Sequence, residues 1–439
     1  MGLAIELEKG GVPTVAVHTH VFSRLARSVA RVNGMPGARQ AFVPQPVVGK
    51  SPSELRAYIE GEDPVSGRVF MQELLEGLTE PLTAEDTKGL SFDRSRPRLL
   101  EPGTEDELQQ RFLDERWTDM LPVVLPTEER VEAMLAGTSR SPDEIVGRMR
   151  PTMFREYWEY NVEKVAVNAV MAGARPEYLP VILALASTGQ TARSSSTTSF
   201  ATIAMVNGPI RKEIDMNWGT GAFGPYNHAN ATIGRAYGLL SQNLQGGSVP
   251  GETYMGSQGN SYSYSACFSE NEERSPWAPF HTAHGFDAEQ SAVSAFMGGW
   301  FTEYGTIRDD TWADRFRIQL RAIDPFTGPL LALDPLGANK LVEYGFDTRE
   351  KLAEWLAENS LRTAREFWDN QWMQTLIRPR ALLGQEPFAS YLNAEPDEMV
   401  QTFQPEDIHP VVVGGETGGT YKMIGGMLRG NIASVDDWR

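Results

Sequence analysis

Residues 1–50 read as helix, strand, helix, strand, and that order constrains the chain more than any other feature of its sequence. Leu3–Glu8 has the spacing of an amphipathic helix end, with Gly10 and Gly11 where a helix C-terminus favours left-handed backbone. Val12–Val17 is a short β-branched run, the pattern of a buried parallel strand. Val21–Val32 returns to helical spacing, with Leu25, Val29 and Val32 on one face, and stops at Asn33-Gly34-Met35-Pro36. Gln40–Val43 is a second buried strand, closed by Pro44 and Pro46. Helices alternating with parallel strands make part of a doubly wound α/β sheet. Two strands alone leave sheet edges and apolar faces uncovered. Either later strands of this chain complete the sheet, or a second polypeptide does. The second expectation is carried forward.

The chain has 439 residues, too many for one compact core. We read residues 1–50 as half of a Rossmann-like domain and 51–115 as a polar linker, with short helices near Ser53–Glu60 and Arg68–Leu78. Residues 116–439 then form a larger α/β or α+β domain. In that domain Thr127 should cap a helix closed by Gly137. Tyr157–Ala172, Glu177–Ser187, Ala229–Leu244 and Lys351–Glu366 read as helices, and Phe200–Val206 and Pro410–Val413 as strands. Gly414–Gly419 reads as a glycine loop leading into a helix at Thr420–Leu428. A formal charge of −18 opposes nucleic acid and anionic membrane as partners. The longest apolar runs, Val165–Ala174 and Pro180–Ala186, are too short to span a bilayer. One cysteine, Cys267, and no basic leader suggest a cytoplasmic protein.

Chemistry-bearing residues gather at a few places. His18 and His20 flank Thr19 at the end of the first strand, where open α/β sheets hold their ligands. The pair can serve as acid and base, or as two metal ligands without a visible third. His228 and Asn230 stand at a helix start, where free N–H groups attract anions. Gly219-Thr220-Gly221-Ala222-Phe223-Gly224 spells a dinucleotide-type glycine run, but a charged, poor strand precedes it and the helix follows too late. The strand–glycine loop at Gly414 and Gly415 lacks the lysine of a phosphate loop, so it is either a small anion nest or a tight turn. Cys267 is expected to be buried and inert. Trp218, Tyr226, Tyr254, Tyr262 and Tyr264 supply rings for a flat aromatic ligand, although most such rings serve a core.

Glu6-Leu7-Glu8-Lys9-Gly10-Gly11-Val12-Pro13-Thr14-Val15-Ala16-Val17, followed by Val21-Phe22, Leu25-Ala26, Val29-Ala30-Arg31 and Gly34-Met35-Pro36, resembles the second half of the UGSC-motif family. His20 departs from that family's usual Glu, and Gln45 from its usual His. The resemblance implies a small Rossmann-like domain whose reactive cysteine lies in the other half, on a small partner subunit. Residues from Thr118-Asp119 to Ser275-Pro276-Trp277 are similar to a larger domain often found with such proteins. A large subunit beside a small one also resembles, in architecture and size alone, two-subunit ether hydrolases that demethylate dinitroanisole. The expected function is therefore the large subunit of a cofactor-independent hydrolase that cleaves a small activated aromatic ether. Its catalytic residues would be His18, His20 and His228. Thr19, Asn230, Trp218, Tyr226, Gly414 and Gly415 would bind substrate, and no metal is called for. A thiol redox subunit and a non-catalytic scaffold are the alternatives.

Overall fold

The computed structural model describes the chain apart from residues 48, 90–96, 150–157, 193–199, 246–249, 251–253, 255, 300 and 326. The architecture is mixed α/β. A helix over Gly2–Lys9 leads to β1 (Ala16–Thr19), a turn at His20–Phe22, a helix over Ser23–Val32 and then β2 (Gln40–Val43). The first strand begins later than its apolar run. Thr14 is tied back to the first helix, its N–H donating to Glu8 Oε1 at 2.6 Å and its hydroxyl to the Ala4 carbonyl at 3.0 Å. Those bonds hold Val12–Thr14 off the sheet. The two strands pair in parallel from Ala16 opposite Gln40 to Thr19 opposite Val43.

Each side of this pair has a small core. Ile5, Ala30, Met35 and Ala38 form one, and Ala41, Val43 and Phe70 the other. Phe70 opens a helix over Phe70–Thr79, preceded by a helix over Pro52–Glu60 that starts with a Ser51–Glu54 capping box. The stretch read as a polar linker thus begins with cover for β2. Asp63, between these helices, is buried and accepts the Phe42 N–H at 2.6 Å. In a parallel pair that N–H faces away from β1, so a carboxylate closes the outer edge of β2. The outer edge of β1 pairs with no strand among the described residues.

The larger region opens with a hairpin of β3 (Ile145–Met149) and β4 (Trp158–Asn161). Its sheet contains β5 (Ala201–Asn207), β6 (Cys267–Ser269), β7 (Ala292–Gly298), β8 (Phe301–Thr306) and β9 (Gly328–Leu333). A separate short pair follows, β10 (Leu361–Thr363) with β11 (Met399–Gln401), and then β12 (His409–Val412) and β13 (Thr420–Ser434). The order is β12-β9-β13-β7-β5-β6, and β8 also pairs with β13. Helices Val162–Met171, Leu179–Ser187 and His228–Gln245 pack on β5 and β7 through Ala204, Val206, Val293 and Ala295. Helices Trp312–Ala322, Pro335–Glu343 and Arg349–Glu358 pack on Leu331, Leu333, Val412 and Met423. The alternating residues Ile203, Met205, Phe296, Leu330 and Ile424 point the other way, where loops bring Ala222 and Phe280 over them.

Three expected helices differ. Thr420–Leu428 is not helical; it is the first part of β13, held by antiparallel pairing to β8 and β9. The Tyr157–Ala172 helix starts only at Val162, after strand β4, where Asn161 accepts the Lys164 N–H as N-cap; Tyr157 lies outside the described residues. Lys351–Glu366 breaks after Glu358, and Thr363 caps a new short helix beyond β10. Thr127 caps its helix as expected, accepting the Arg130 N–H. No helix among the described residues is long and apolar enough to cross a membrane.

Candidate functional site

At the end of β1, three consecutive residues bury polar atoms that no group among the described residues satisfies: His18 Nε2, Thr19 Oγ1 and His20 Nδ1. Each such atom costs about 1–3 kcal/mol unless something completes it. The His18 ring lies 6.2 Å from the ring of Phe42, which also carries the Arg27 guanidinium 5.9 Å above it. Burial, and then the nearby N-terminal ammonium, push the His18 pKa down to about 4. At neutral pH its imidazole is therefore uncharged and able to accept a proton. In β1 itself Val17 is 49% exposed, and Leu3 and Leu7 of the first helix, Val12 and Val21 are exposed as well.

A second concentration of candidates sits on the large sheet. The glycine run at 219–224 follows a one-turn helix at Ile210–Glu213 rather than a strand, and the next long helix starts only at His228. It therefore lacks the strand–turn–helix setting of a dinucleotide loop. Instead it meets the other glycine loop. The Gly414 N–H donates to the Trp218 carbonyl at 2.8 Å, and Asn271 Nδ2 donates to the Gly414 carbonyl at 2.9 Å. Gly415 lies so close to Thr220 that a Cβ would overlap its side chain. Asn230, buried in the helix start, braces the first loop by donating to the Asn217 and Ala222 carbonyls at 2.8 and 3.1 Å. Trp218 lies beneath the Arg211 guanidinium at 5.1 Å, and Arg211 is fixed by Glu272 and Glu273 at 2.6 and 3.0 Å. Between the loops and the sheet lies a cavity of about 240 Å³. Its floor comes from residues that face one another across three strands, Tyr304, Lys422 and Ala332.

The structure thus places Gly414 and Gly415 in the lining of one cavity, with Trp218 and Asn230 bracing its loops from behind, and His18, Thr19 and His20 at another place. Tyr226 is fully exposed with a φ of 77°. His228 is exposed at its helix start, 5.8 Å from the Tyr178 ring. Cys267 is buried in β6, and burial pushes its thiol up to about 12, which keeps it protonated. Tyr254 and Tyr264 line a separate cavity of about 520 Å³ beside Arg116 and Met120, whose φ angles of 58° and 68° are unusual for residues other than glycine. Lys422 escapes the sequence reading because its segment, Thr420–Leu428, also fits helical spacing; Tyr304 and Ala332 lie in β8 and β9, where no sequence motif marks them. The signal was there, since Tyr421, Met423 and Lys422 alternate in a strand pattern.

The model of the UGSC family matches residues 1–64, which span both strands of the N-terminal sheet and the helix at Pro52–Glu60. No curated protein and no solved structure matches the chain.

Proposed function

We propose that this chain is the larger subunit of a cofactor-independent, two-chain hydrolase that cleaves a small activated aromatic ether to a phenol and an alcohol. The observation that carries the reading is the end of β1. Among the described residues three buried polar atoms there have no partner, beside a strand edge that no described strand pairs while the opposite edge of the sheet is closed. A partner strand added to β1 would cover Val17, continue the parallel sheet and place its own end next to His18 and His20. The partner is a small subunit carrying the other half of the Rossmann-like domain and its reactive cysteine. Ligands of such sheets bind at the strand ends.

An aryl ether bearing electron-withdrawing groups is attacked at the ring carbon, and negative charge develops on those groups. Uncharged His18 takes the proton from the attacking water, or from a partner thiol whose aryl-enzyme is then opened at the ring carbon by water with return of the thiol, and His20 returns one to the leaving alkoxide. The net reaction adds one water and releases phenol and alcohol. A thiol redox role for the same partner cysteine is the rival. Redox thiolates are favoured by a cationic neighbour, which an uncharged His18 does not supply.

Co-expression with the small subunit and turnover of a dinitroaryl methyl ether in ¹⁸O-water test the reading. Ring attack puts the label in the phenol, whereas label found only in methanol rejects that mechanism. No turnover of any nitroaryl ether by the assembled complex rejects the hydrolase.

A further inference from the structure

We infer that the cavity between the two glycine loops is a binding site for a small planar organic anion, an arylcarboxylate in chemical class. This inference does not depend on the hydrolase reading, because no residue of the β1 end takes part in it.

Lys422 lies in β13 opposite Tyr304 of β8 on one side and Ala332 of β9 on the other. Paired residues share a sheet face, so the three form a row beneath the loops. Ala332 is small, which leaves room above it that a larger side chain would fill. Lys422 makes no ion pair among the described residues; its ammonium lies 5.2 Å from the Phe223 ring. The acid nearest in the cavity lining, Asp334, is already engaged. Its Oδ1 accepts the Gly337 N–H at 2.8 Å, and its Oδ2 accepts the N–H and hydroxyl of Thr420 at 2.7 and 2.9 Å. These neutral donors leave Asp334 charged but hold its carboxylate in place, so Lys422 is the cavity's cation with no ion pair among the described residues.

Walls and size narrow the ligand. Phe223, exposed in its loop with its ring 4.9 Å from that of Phe268, stands on one side, and Tyr304 on another. Two rings flanking a cation select a flat body with a charged end. The volume of about 240 Å³ falls below the roughly 300–1,000 Å³ of sites for drug-sized ligands, so a single-ring molecule is the upper limit. The roof is rigid. Gly415 sits against Thr220 without space for a side chain, and the Gly414–Trp218 and Asn230 bonds lock the loops to each other and to the long helix. A rigid site loses little ordering entropy when it binds.

Titration calorimetry on the full chain with benzoate, its neutral isostere benzamide and inorganic phosphate tests the assignment. Benzoate should bind in the micromolar to low millimolar range, with benzamide and phosphate each at least about tenfold weaker. Lys422→Met, which keeps the apolar stem, should weaken benzoate by at least about tenfold. Phe223→Ala, in an exposed loop where refolding is not at stake, should weaken benzoate severalfold and leave phosphate unchanged. Phosphate binding as tightly as benzoate would overturn the aryl assignment. Benzoate binding that is absent, or unchanged in both variants, would overturn the site.

Discussion

Two of the parallel pairings in this molecule, β1 with β2 near the start and β9 with β12 in the large sheet, end in opposite ways. β12 is an edge strand too, yet Val411 and Val412 are fully buried, and Asn271 and the Arg349 guanidinium bind its carbonyls at Val412 and Pro410. β1 is an edge strand with Val17 half exposed and three unsatisfied polar atoms at its tip. Natural sheets close their edges with charge, side chains or covering elements. The large region follows that rule, as does β2 with Asp63. An edge left apolar and open beside closed ones is one that another strand is expected to fill.

The largest effect should come from the network that closes the large sheet. Glu270 is fully buried, binding Arg349 at 2.7 Å, Asn207 Nδ2 at 2.6 Å and the Phe280 N–H at 2.7 Å. Glu270→Ala leaves a guanidinium buried without its partner, which costs about 3–5 kcal/mol. Urea unfolding should register this loss in the large region. A loss below about 1 kcal/mol would mean that the network does not hold the edge closed.

Next comes the open edge. Val17→Asp puts a carboxylate on the exposed face of β1, so the chain alone should keep its stability within about 0.5 kcal/mol. Affinity for the proposed small subunit should fall at least about a hundredfold, or ~2.7 kcal/mol, measured by interferometry. Unchanged affinity would place the partner elsewhere and remove the contrast between the two edges.

The contrast also marks what a sequence discloses. β2 at Gln40–Val43 and the Thr127 cap were legible because the signals are local: a short apolar run between turn residues, and a hydroxyl before two acids. β13 was not. Thr420–Leu428 carries apolar residues at spacings that fit a helix as well as a strand, and only pairing with β7, β8 and β9 decides between them. Asn359 and Ser360 end the Arg349 helix because β10 must pair with β11, some forty residues on. The candidate sites follow the same rule. His18 and His20 were visible as a strand end. Each glycine loop was visible singly, but nothing local said that Gly415 and Thr220 would touch. Lys422 was hidden by the helix reading of its own segment.

A smaller effect is expected at Cys267. Its protonated, buried thiol lies in the closed sheet, paired in register with Ala204. Cys267→Ser should leave turnover of the assembled enzyme within about tenfold, or ~1.4 kcal/mol of barrier. A loss of several orders of magnitude with the fold intact would move the nucleophile from the open region into the closed one.

The last effect is the pH dependence that His18 gives the open region. Its folded pKa of about 4 lies below the roughly 6.5 of an unfolded histidine. Between those values the unfolded chain binds a proton that the folded chain does not, so stability falls as pH falls through that window. The contribution is fully present above about pH 6.5, declines toward pH 4 and then levels off. Because the ring keeps some contact with water, the measured slope should be less than one full proton. His18→Gln should flatten the slope, and proton NMR of the His18 ring should find no titration above pH 5.5. A midpoint near 6.5 would show a solvated ring, and the end of β1 would then be an ordinary surface rather than a half-built site.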